Sequence, residues 1–191
     1  MAFTRQVNSL INTVINQMEP ENKKENRLKL QIQSLRSGNR SAIFTTLKEL
    51  RSEGDVSILP DLFDLLLDQE DEQIVGEVSS MLNDIKDKEA APILSEAIKN
   101  PDYSKILGIL VSACWQNGLS YTKYINTFVE VVISGEYDAA IEAFTVIEEA
   151  VGDLEQDERN QLVLYLKSRT NEVDEQKKPL LSELVKVISF Y

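Results

Sequence analysis

The chain has 191 residues, 42% of them hydrophobic, and a formal net charge of −12. That supplies core enough for one ordinary domain or one short solenoid, and the acidity argues against generic binding to nucleic-acid phosphates. Cys114 is the lone cysteine and histidine is absent, so there is no intrachain disulfide, no usual general base and no usual zinc ligand, and a reducing cytosol fits.

Charge is unevenly spread. Residues 1–52 hold 9 Lys/Arg against 4 Asp/Glu, whereas residues 53–191 hold 11 against 28. The mildly basic start alternates with Glu19, Glu21 and Glu25 and reads as a solvated surface.

In chain order, Phe3, Val7, Leu10, Ile11, Val14, Ile15 and Met18 make one apolar stripe and predict a helix over 3–18. Its other face is polar but nearly uncharged, unlike a membrane-surface helix. The segment 1–20 therefore reads as a capping helix, or 3–18 as a self-association seam. It lacks the apolar run of a signal peptide, and no stretch of the chain approaches the ~20 apolar residues of a membrane span. Glu19-Pro20 ends it.

Residues 22–37 read as a helix through Leu28, Ile32 and Leu35. Leu28, Leu30 and Ile32 also alternate, but a strand there would have no partner. Gly38 supplies a left-handed stop, and Asn39 or Ser41 can cap the next helix, which carries Ile43, Phe44, Leu47 and Leu50.

From Asp55 a pattern repeats. Aligning Pro60 with Pro92 also aligns Asp55 with Asp87, Asp68 with Asn100, Ile74 with Ile106 and Gly76 with Gly108. Each copy reads as helix, turn, helix, over 55–86 and 87–118, and a third copy spans 120–152. Residues 22–53 read as a degenerate first copy. Residues 153–191 are an atypical end: PLLSELVK at 179–186 resembles PILSEAIK at 92–99, so the last helix looks like a first helix where alternation requires a second. Either the phase breaks near 153–172 or the last helix is a cap.

On these residues the chain resembles the HEAT-repeat family, relatives of armadillo repeats. The resemblance rests on the Asp55/Pro60 and Asp87/Pro92 starts, the turn residues Asp68 and Asn100, and Val75 and Leu107 opening the second helices. It implies an all-α fold, a short right-handed α-solenoid of about ten helices forming one domain over 1–191. Where the family often has an arginine after the opening residue, Gly76, Gly108 and Glu142 stand here, so its turn-aspartate to arginine ladder does not carry over.

No catalytic, cofactor-binding or metal-binding set emerges. Asp68, Glu70, Asp71 and Glu72 lack the turn glycine and final glutamate of a calcium loop. Glu148 and Glu149 are adjacent on a helix and diverge. Cys114 shares an apolar stripe with Leu110 and Ala113, and Gly76 and Gly108 are isolated rather than parts of a phosphate loop. The function expected is a non-enzymatic, cytoplasmic interaction scaffold that binds a basic or amphipathic protein or peptide. An enzyme such as a lyase on a HEAT-like fold, or a nucleic-acid-binding relative, is the alternative.

In HEAT-like stacks the second helices line the concave surface. Aligned, they place Glu72, Gly76, Ser79 and Asn83 beside Ser104, Gly108, Val111 and Trp115, and those beside Asp138, Glu142, Thr145 and Glu149. The candidate partner-binding residues are thus Glu72, Asn83, Trp115, Asp138, Glu142 and Glu149. Trp115, the only tryptophan, is either a contact in the groove or a side chain packed between repeats beside Val111.

Overall fold

Short polar side chains open many of the helices. Asn39 Oδ1 accepts the Ala42 N–H at 3.1 Å, Asp55 Oδ1 the Ser57 N–H at 2.9 Å and Asp71 Oδ1 the Gln73 N–H at 2.9 Å. Asp87 and Asn100 do the same for the N–H groups of Glu89 and Asp102. Each satisfies a donor that a helix start leaves orphaned. Gly38 (φ +67°) and Gly118 (φ +66°) adopt the left-handed backbone that reverses the chain after a helix.

The computed structural model describes residues 20–53 and 55–191; the amphipathic segment 3–18 lies outside them. The described residues form ten α-helices and no strand. These are α1 (Pro20–Leu35), α2 (Arg40–Glu53), α3 (Leu59–Asp68), α4 (Glu72–Asn83) and α5 (Ala90–Lys99). There follow α6 (Leu107–Gln116), α7 (Ile125–Ser134), α8 (Tyr137–Ala150), α9 (Gln156–Arg169) and α10 (Lys178–Phe190). No helix among the described residues is long and apolar enough to cross a membrane. The chain divides into two compact units, with the boundary at Asp61/Leu62.

In the first unit α1 packs on α2. Leu35, Ile43, Leu47 and Leu50 are buried, while Leu30 is 47% exposed. The alternating Leu28, Leu30 and Ile32 therefore sit on a helix, and the strand alternative is not realised. A partly buried hydroxyl pair joins the two helices, Thr46 Oγ1 donating to Ser34 Oγ at 2.7 Å. Ion pairs Lys24–Asp55 (2.9 Å) and Arg36–Asp61 (2.8 Å) tie α1 and the turn after it to the segment that follows α2.

In the second unit the even-numbered helices pack in succession, α4 on α6, α6 on α8 and α8 on α10. Each of α5, α7 and α9 packs on the even-numbered helix that follows it, and α5 also meets α7. The core between the two rows includes Leu94, Leu110, Val111, Phe128, Val132, Ala143 and Ile147, all 0% exposed. The last helix continues the even row despite its first-helix-like sequence. Its stripe of Leu181, Leu184 and Ile188 is buried, and it meets α8 as well as α9. An apolar stripe alone cannot distinguish the two roles; the presence of α9 before it does.

The end of α7 is held from a distance. Lys177, 3% exposed, donates from Nζ to the carbonyls of Ile133 and Gly135, both at 2.7 Å. A cation at a helix C-terminus meets orphaned carbonyls and the negative end of the helix dipole. Loss of hydration lowers the ammonium's pKa, opposed by Asp174 and Glu136 nearby.

Candidate interaction groove

Three even-numbered helices, α4, α6 and α8, lie side by side, and the polar residues along them define a shallow groove. α6 is LGILVSACWQ, in which only Ser112 and Gln116 are polar. They lie i, i+4 apart and one turn beyond Gly108, so Gly108, Ser112 and Gln116 share one face. That face borders a cavity of about 370 Å³. Ile109 completes the α6 side, Ser79 and Asn83 come from α4, and Asp138 and Glu142 come from α8.

Cross-helix hydrogen bonds set the walls. Asn83 Nδ2 donates to Gln116 Oε1 at 2.9 Å, and Gln116 Nε2 donates to Ser112 Oγ at 2.8 Å. Trp115 Nε1 donates to Glu142 Oε2, linking α6 to α8. Below them Lys86 Nζ donates to the Asn117 carbonyl at 2.8 Å. Asn117 is buried and in turn donates to Tyr121 Oη at 3.0 Å, so the turn after α6 is fixed by a filled polar network.

The six candidate residues have different placements. Asn83, Asp138 and Glu142 come together at the cavity. Trp115 is half-buried and does not line it; its indole buttresses the Glu142 carboxylate. Glu72 is exposed in the first turn of α4, outside the cavity. Glu149 is also exposed and borders a separate hollow of about 230 Å³, with Ser120, Thr122 and Asp153.

The row drawn through Val111 and Trp115 differs from the exposed face of α6. Val111 is 0% exposed, so the row leaves the surface at that position, whereas Gly108, Ser112 and Gln116 face outward. Ser112, Gln116 and Ile109 are the cavity residues that matching the repeats missed. The two polar residues of an otherwise apolar helix were the available signal.

Chemically, the groove offers carboxylates on one side and amides and hydroxyls on the other. Its lining contains no lysine or arginine, an arrangement suited to a cationic guest. Among the described residues no group of three or more His, Cys, Asp or Glu is placed to hold a metal ion. Cys114 lies behind the groove, 1% exposed, with Sγ against the Leu110 carbonyl at 3.3 Å. Burial pushes its thiol up to about 12, opposite to the shift that makes a nucleophile. No protein-family model and no curated protein matches the chain.

Proposed function

We propose that the chain is a non-enzymatic interaction scaffold, a short right-handed α-solenoid of HEAT-like hairpins that binds a basic or amphipathic protein segment along α4, α6 and α8. The observation that carries this reading is the cavity whose α8 wall is Asp138 and Glu142, with no cation in its lining. The surrounding unit reinforces it, since residues 62–191 hold 11 Lys/Arg against 25 Asp/Glu. Such a field steers positively charged partners and raises their association rate. The succession of even-numbered helices supports the solenoid, because each hairpin covers the apolar face of the previous one. One reduced, buried thiol fits a cytoplasmic setting.

The test is capture of partners from cytosol by the wild-type chain and by an Asp138→Lys/Glu142→Lys variant, with quantitation by mass spectrometry. Partners of the groove should be rich in Lys/Arg segments, be lost from the variant, and bind more weakly as salt rises. Equal recovery by both chains, or affinity flat from low to high salt, would sink the proposal.

A further inference from the structure

The sequence repeat matches Gly76, the fifth residue of α4, with Gly108, the second residue of the neighbouring α6. Neither has positive φ, and a β-carbon added to either would meet no atom within 4 Å. Packing therefore requires neither glycine, although a glycine inside a helix leaves it less stable than alanine would. What they share is uncovered backbone. Gly108 lines the cavity, and Gly76 lies on the helix face of Ser79 and Asn83, which line it too. Bare helix backbone lets another main chain approach closely.

Three lining side chains, Asn83, Asp138 and Glu142, keep carbonyl or carboxylate oxygens that make no contact with the rest of the groove. Glu142 Oε2 is engaged by Trp115, which leaves Oε1. Asp138 is exposed and makes no ion pair with a described residue, which leaves both its oxygens. Asn83 donates through its nitrogen, which leaves Oδ1. Asn83, Asp138 and Glu142 thus bring four such oxygens to a cavity that Ile109 and Gly108 also line. A planar guanidinium carries five N–H donors on an apolar stem and can meet several of these at once; an ammonium has three donors around one point.

We propose that the glycine track and the cavity together receive an extended basic segment of a partner protein, with one arginine side chain seated between Asp138 and Glu142. This rests on the groove reading above and names the side chain that it selects. The segment's main chain passes over Gly76 and Gly108. Its arginine stem lies on Ile109, and its guanidinium pairs with the α8 carboxylates.

The experiment uses the full chain and two acetylated heptapeptides, Gly-Lys-Ser-Arg-Ser-Lys-Gly amide and its twin with lysine at the centre. They carry equal charge. Binding is read from amide shifts of Gly108, Ser112 and Glu142 and from the Trp115 indole N–H. The arginine peptide should bind about fivefold more tightly than its twin, the scale of one hydrogen bond that the guanidinium makes beyond those of an ammonium. Gly108→Leu, which fills the cavity and removes no charge, should abolish that ratio. If Gly108→Leu loses helical circular dichroism, Asp138→Asn/Glu142→Gln decides, and should bring the ratio to one. Equal binding of the two peptides to the wild type, weakened for both by that double variant, overturns the arginine inference and leaves the acidic groove standing. Absence of any shift at the groove with either peptide overturns both.

Discussion

Helices α6 and α9 have the least one-sided sequences among those of the second unit, for opposite reasons. LGILVSACWQ is apolar nearly all round; QDERNQLVLYLKSR is polar with a short apolar run. α6 packs against α4, α5 and α8 and buries Leu110, Val111, Ala113 and Cys114. α9 has α10 as its main neighbour, buries Leu162 and Leu166, and leaves Leu164 68% exposed. A weak apolar stripe therefore has two meanings. Where nearly every residue is apolar it marks a helix enclosed by neighbours; where most are polar it marks one with few.

Matched truncations give the sharpest contrast. Leu110→Ala should cost about 2–5 kcal/mol, as a fully buried leucine replaced by a cavity does. Leu164→Ala should stay within about 0.5 kcal/mol, as exposed substitutions do. Urea unfolding of the two variants checks this, and comparable losses would mean that α9 is as enclosed as α6.

Lys177 comes next, because it fastens the turn before α10 to the end of α7. Lys177→Met keeps much of the aliphatic stem and removes two charged hydrogen bonds. The expected loss is roughly 1–3 kcal/mol after the ammonium's desolvation is set against them. Thermal unfolding measures it, and a variant as stable as the wild type would show that burial cancels the bonds.

Beside α6, the open backbone of α4 provides a control of the opposite sign. Gly76→Ala should stabilise by about 0.5–1 kcal/mol, since the new methyl group meets nothing. A loss of stability would show that the space over α4 is occupied in solution.

The smallest effect belongs to the first unit, at Asp55. Its hydrogen bonds with Lys24 and with Ser57 hold the carboxyl at about 2, below its ordinary 3.8. A depressed carboxyl contributes stability that is full above its unfolded pKa and is lost as pH falls toward the folded value. Lys24 is exposed, so solvent screening keeps the contribution small. Asp55→Asn should flatten the stability profile between pH about 4 and 2. A parallel profile for both chains would remove the pair from the account.

The helices and several of their caps could be read before the structure. Asn39 is a short-range signal: it accepts from a backbone N–H three residues away. The groove was less legible because it depends on the angular setting of α6. Rotation by one residue, about 100°, exchanges Val111 for Ser112. In a helix apolar on most sides, periodicity sets that angle poorly, whereas the polar pair Ser112 and Gln116 sets it well. Lys177 gave no signal at all. Its partners are main-chain carbonyls 44 and 42 residues earlier, and a carbonyl has no sequence signature. The last helix was ambiguous because Leu181, Leu184 and Ile188 would suit either row.

Cys114 gives the chain an internal clock. It is the sole thiol, and it stands buried on a helix packed against three others, just before the turn that Asn117 and Tyr121 hold. An alkylating or disulfide reagent can reach it only when the packing around α6 opens, and even then the thiol must ionise. With reagent in excess, the labelling rate at one mass increment per chain measures how often that opening occurs. An occupant of the groove that holds α4, α6 and α8 together should slow the clock in proportion to its occupancy.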